Sequence, residues 1–149
     1  MKRLIFAIMA LIMMSSCSID DDASNTTYEL AEITGNDLPD NFILGETYAV
    51  NVEYTLPSAC NSFARLDASR GGLAGNEKRQ IYVGIVSVFN DANNCDPNTP
   101  GAEGSSNFSI TIDETEDYTF YFWTGTDSNN EPIYSEIVVP VQDQVSSEN

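Results

Sequence analysis

The sequence predicts an all-β fold, an antiparallel immunoglobulin-like β-sandwich of about seven strands, with a small β-barrel as the alternative. Three observations carry this reading. Apolar residues recur at period two in short runs. Clusters of Gly, Asn, Asp and Pro, the residues that favour turns, separate those runs. No stretch beyond residue 16 sustains a helical period.

Taken in order, a first strand is expected over residues 28–33. Tyr48-Ala49-Val50-Asn51-Val52-Glu53-Tyr54 alternates large apolar with small or polar side chains, the mark of a strand buried on one face. A shorter strand is expected over 62–67. Residues 81–89 are almost continuously apolar, and Tyr118-Thr119-Phe120-Tyr121-Phe122-Trp123 is aromatic on both faces, so both are placed centrally. Between them Phe108-Ser109-Ile110-Thr111-Ile112 alternates again, as does 133–141, where Pro140 lacks an amide donor and suits an edge or bulge. Turns are expected at Gly35-Asn36-Asp37, Arg70-Gly71-Gly72, 90–104 and 127–130.

The leading segment is of a different kind. Lys2 and Arg3 precede an apolar run over 4–14, followed by Ser15-Ser16-Cys17. That is the order of an export signal, and the run is shorter than the roughly 20 apolar residues a membrane-spanning helix needs. The small pair before Cys17 resembles the lipobox of bacterial lipoproteins. The resemblance implies that the Cys17 thiol receives a diacylglycerol group and that cleavage removes residues 1–16, leaving Cys17 first. An ordinary signal peptide cut near Ser16 is the alternative. The two differ physically, since each buried methylene of an acyl chain contributes about 0.8 kcal/mol to membrane attachment. Residues 17–27 then form a flexible acidic tether, 28–142 the β domain and 143–149 a disordered tail. Ser18, Asp20, Asp21 and Asp22 resemble the acidic export tag of surface lipoproteins of the Bacteroidetes. This implies a lipid anchor in the outer membrane with the domain on the cell surface; the periplasmic face is the alternative, with the acids as a plain spacer.

Composition narrows the partners. Loss of residues 1–16 removes two of the six basic residues and none of the 23 acids, so four oppose 23 and the net charge is −19. Such a surface repels nucleic acid and anionic headgroups. With Cys17 spent on lipid, Cys60 and Cys95 remain, and an even pair in an exported chain predicts a disulfide. Closing a loop of 35 residue steps is worth roughly 4 kcal/mol by chain entropy.

A broader likeness covers most of the chain beyond the signal. The strand from Asp117 to Trp123, the turn after it, and Pro132-Ile133-Tyr134 with Ile137-Val138-Val139-Pro140-Val141 resemble the C-terminal hairpin of small uncharacterised Bacteroidetes surface lipoproteins of flavobacterial type. In those chains one cysteine follows the second strand and another a long central strand, as Cys60 and Cys95 do here. The resemblance implies fold and location and no activity. Asp117-Tyr118 also resembles the tyrosine corner of immunoglobulin-like domains. An ordinary core aromatic accounts for it equally, because the usual disulfide cysteine of that strand is absent.

With no histidine the chain cannot build a Ser-His-Asp or Cys-His site or a His-ligated zinc centre. Paired carboxylates for glycoside hydrolysis are present in Asp113, Glu114, Glu116 and Asp117, but within one turn region, where exposed acids are the rule. Asp91, Asn93 and Asp96, with Asn94 and Asn98, form an oxygen-rich loop and a calcium candidate, although the same composition is that of a long turn. Trp123, Tyr121 or Tyr134 would stack on a sugar ring if turned outward, but core packing is the expectation. The sequence thus predicts a lipid-anchored binding or structural module without catalysis, whose loops over 67–80 and 90–107 meet a protein or glycan. The alternatives are a calcium- or glycan-binding accessory of polysaccharide capture and a small carboxylate hydrolase.

Overall fold

The computed structural model describes residues 27–90 and 95–142. Cys17, the acidic run Ser18 to Asp22 and the segment 143–149 lie outside the described residues. Nine strands and one short 3₁₀ helix follow in order: β1 (Thr27–Asn36), β2 (Phe42–Ile43), β3 (Thr47–Thr55), β4 (Asn61–Arg70), the helix Gly75–Arg79, β5 (Gln80–Phe89), β6 (Glu103–Thr111), β7 (Tyr118–Thr126), β8 (Pro132–Val139) and β9 (Val141–Gln142). The fold is all-β and sandwich-like, as expected.

β5 is the hub, because its side chains are apolar on both faces. β4 runs antiparallel along one edge, from Asn61↔Phe89 to Arg70↔Ile81. The other edge is shared. β1 pairs there from Thr27↔Phe89 to Ala31↔Ile85, and β7 pairs from Gln80↔Thr119 to Val83↔Phe122. β8 continues antiparallel to β7. β1 then leaves β5 and pairs with β3 from Glu32↔Thr55 to Asn36↔Val52, and β3 pairs with β6. One strand therefore belongs to both layers. Between the layers Val50, Val52 and Ile110 meet Ile81, Val83 and Ile85 of β5 and Tyr118, Phe120 and Phe122 of β7, with Phe42 completely buried among them.

Two pairings depart from the antiparallel expectation: β5 with β7, and β2 with β9, are parallel. The reason is the connection. β6 lies in the other layer, so the chain crosses over before β7 returns beside β5 and runs the same way. Two loops are also shorter than expected. β4 extends to Arg70, so only 71–79 remains of the first, and β6 begins at Glu103, so the second ends at 102. Both extensions are polar, exposed edge sequence whose strand character comes from pairing, not from burial. Pro140 interrupts the last strand as its missing N–H requires, and its carbonyl accepts the Phe42 N–H at 2.8 Å.

Tyr118 is a tyrosine corner in its geometry. Its hydroxyl accepts the backbone N–H groups of Asp113 (3.1 Å) and Glu114 (3.3 Å) and donates to Asp113 Oδ1 (2.7 Å), with the ring wholly buried. The absent cysteine is immaterial, since the hydroxyl alone ties the turn to the strand.

Candidate functional site

The acids at residues 113–117 are engaged in holding the fold. Arg70 pairs with Asp113 at 2.8 Å, Lys78 with Glu114 at 2.9 Å and Arg79 with Glu116 at 3.7 Å, while Arg79 also donates to the Asp117 carbonyl. The loop 71–79 is thereby pinned to the turn before β7. The Tyr118 hydroxyl, and then Arg70, hold the Asp113 carboxyl below the usual carboxylate range, and the hydrogen bond to Glu114 raises the Lys78 ammonium. No facing carboxylate pair is left over a cleft here. The fourth basic residue, Arg65, pairs with Asp67 at 2.9 Å, so every basic residue among the described residues already has an acidic partner.

Of the calcium candidates, Asp91, Asn93 and Asn94 lie outside the described residues. Asp96 is turned toward its own loop, where its carboxylate accepts the backbone N–H of Asn98 at 2.9 Å and the Asn98 amide at 3.1 Å. Those bonds lower its pKa. Among the described residues no three His, Cys, Asp or Glu side chains gather as a metal site.

Cys60 and Cys95 form a disulfide, with Cα atoms 5.3 Å apart. Beneath it lies a polar cluster. Ser58 donates to Asn61 Oδ1 (2.6 Å), and the Asn61 amide donates to Glu29 (2.7 Å) and Ser87 (3.2 Å). The bridge fastens the β5–β6 loop to the start of β4. The loop is docked further by Ala59 N–H to the Thr99 carbonyl (2.9 Å) and Leu56 N–H to the Ala102 carbonyl (3.0 Å).

The core-packing expectation for Trp123, Tyr121 and Tyr134 is overturned. Tyr118, Phe120 and Phe122 fill the core, so alternation sends Thr119, Tyr121 and Trp123 to the outside of the layer. Trp123 pairs across the strands with Tyr134, and Tyr121 with Tyr82 of β5. Tyr82 and Tyr121 stack at 4.8 Å with their planes 16° apart, and Tyr134 stands edge-on to both. Desolvation by these neighbours, then the charge of Glu136, raises the Tyr121 pKa. A strand aromatic on both faces does not disclose which face is inward, and that is why sequence periodicity misplaced these three.

At one end of this outer face lies a cleft of about 360 Å³. Trp123 and Leu30 wall one side and Leu56, Pro57, Pro100 and Gly101 the other, with Glu32 and Thr55, Thr124 and Thr126 as polar lining. Three features of the chain create it. β1 departs from β5 after Ala31, opening space beside β7. A bulge between Trp123 and Gly125, where Gly125 takes φ +149°, bends β7 away. Gly101 lies so close to Leu56 that a Cβ would strike the Leu56 carbonyl, so the stapled loop closes the far wall. Its volume falls in the range of small-ligand pockets, roughly 300–1,000 Å³. Pro57, Pro100 and Gly101 carry no sequence signal of this role; their approach to Trp123 is tertiary. No family model matches the chain, and the searches of curated proteins and of solved structures likewise gave no match.

Proposed function

We propose that the chain is a membrane-anchored, extracytoplasmic binding module that acts by recognition and not by catalysis. The observation that carries this is the open cleft walled by Trp123 at the end of an outward aromatic face, beside a loop stapled to a rigid sheet. Binding sites commonly combine such a scaffold with such a loop. The commitment of Asp113, Glu114 and Glu116 to ion pairs favours binding over hydrolysis. The bonds Asp96 makes to Asn98 favour a ligand other than calcium.

Location rests on sequence. Cys17 is the lipid acceptor, and Ser18 with Asp20, Asp21 and Asp22 directs display on the cell surface. Labelled palmitate should enter the full chain and not the Cys17→Ser variant, which should leave the membrane fraction. Protease added to intact cells should remove the domain. Protection until lysis would refute surface display. Turnover of chromogenic glycosides that disappears in Glu114→Gln would refute the non-catalytic reading.

A further inference from the structure

We propose that the cleft beside Trp123 takes the uncharged sugar units of a polysaccharide, an inference that rests on the binding-module reading above. The lining selects the chemistry. One wall is an indole with Leu30, and the other is two prolines and Leu56. Among the described residues no second aromatic ring covers Trp123, although Tyr82, Tyr121 and Tyr134 all pack against one another. Trp123 is half-buried and lines the cleft, and the electron-rich face of an indole attracts the polarised C–H groups on the apolar side of a pyranose ring. The polar lining is Glu32 with Thr55 and Thr126, which offer a carboxylate and two hydroxyls, and Thr124, whose hydroxyl already donates to the Ile133 carbonyl at 3.3 Å. These pair with neighbouring sugar hydroxyls, each of which can donate to the carboxylate while its oxygen accepts from a threonine.

Charge decides between ligand classes. Each of the four basic residues described is held by an acid of its own chain, and none lines the cleft. A uronic acid or sulfated sugar would meet Glu32 with no compensating cation, so a neutral glycan is favoured. A proline-rich peptide also suits aromatic grooves, and its carbonyls would accept from the threonine hydroxyls, but its prolines have no N–H to give Glu32, which a sugar hydroxyl satisfies. The sugar matches both the apolar and the polar lining.

The site also suits a chain over a single unit. Same-face neighbours along a strand lie about 7 Å apart, so the edge of Tyr121, its face stacked on Tyr82, continues the line from Trp123, and the exposed Tyr134 stands directly across from Trp123. Affinity should therefore rise with glycan length over the first few sugars.

The chain contains one tryptophan, so its emission reports on this cleft alone. The full lipidated chain in detergent is titrated with starch, a β-1,3-glucan, a mannan and a xylan, with polygalacturonate and a proline-rich peptide as comparators. At least one neutral polymer should shift Trp123 emission saturably. Calorimetry should show about tenfold or greater loss in Trp123→Ala and recovery of most affinity in Trp123→Phe. Glu32 is exposed, so Glu32→Gln should weaken binding severalfold at an unchanged melting temperature. A response to the peptide alone, or tighter binding of polygalacturonate, would overturn the glycan assignment and leave the binding module standing. Silence toward every probe would sink both. Binding unchanged in Trp123→Ala would move the ligand away from the cleft and overturn the inference.

Discussion

Tyr118 is the residue on which the lower corner of the domain turns. Its ring fills the core, its hydroxyl closes the turn at Asp113 and Glu114, and Arg70 lies over its ring at 5.8 Å. Burial, then the bond to Asp113, raises the Tyr118 pKa. Tyr118→Phe keeps the packing and leaves two N–H groups without their partner, a loss of about 1–2 kcal/mol in chemical denaturation. The same variant reads out the acid limit of stability. Asp113 is held below its unfolded value of about 3.9, so its contribution is present above that pH and disappears as pH falls through the folded value. Wild type should lose stability more steeply than Tyr118→Phe below about pH 4. The difference will be modest, because Asp113 is half exposed to screening solvent. Parallel acid limbs in the two proteins would show that the hydroxyl does not set the Asp113 charge.

Among the elements, the β5–β6 loop is the one whose position is imposed by a covalent bond. Replacing both Cys60 and Cys95 with alanine should lower stability by up to about 4 kcal/mol. It should also redden Trp123 emission below the melting transition, as Pro100 and Gly101 loosen from the far wall of the cleft. Unchanged native emission would mean that the hydrogen bonds from Ala59 and Leu56 hold the wall alone. Element by element, the central strands were legible because burial marks them: β5 is apolar throughout and β3 alternates cleanly. β4 and the first half of β6 were read short, since Ser, Asn, Gly and Asp on an exposed edge look like loop until a partner strand is known. The two-residue strands β2 and β9 carry no periodicity at all, and Phe42 owes its burial to the layers closing over it. Of the site, the pairing of Cys60 with Cys95 was readable from cysteine count. The outward turn of Tyr121 and Trp123 was not, because it depends on which face of β7 meets β3 and β6.

At the scale of the whole molecule, charge is the dominant fact. Beyond residue 16, 23 acids face four bases, and all four bases are spent on local pairs, so the net field of the molecule is strongly acidic. Raising ionic strength from about 0.01 M to about 0.1 M shortens the Debye length from ~30 Å to ~10 Å. Mutual repulsion among the unpaired acids weakens more than four short contacts do, so the melting temperature should rise by a few degrees. A fall would mean that the pairs joining the 71–79 loop to the 113–117 turn outweigh the repulsion. The same field makes self-association unfavourable, so the domain should sediment as a monomer at low salt.

β1 is the first strand among the described residues and the one strand shared by both layers, paired with β5 in its first half and β3 in its second. Mechanically, a pull on the N-terminal side along that strand is carried by both pairings in shear at once. The chain thus takes tension where it is hardest to unzip. Under the proposed N-terminal anchor, a ligand held against Leu30 and Glu32 would pass part of its load directly along β1, with β7 taking a share through Trp123.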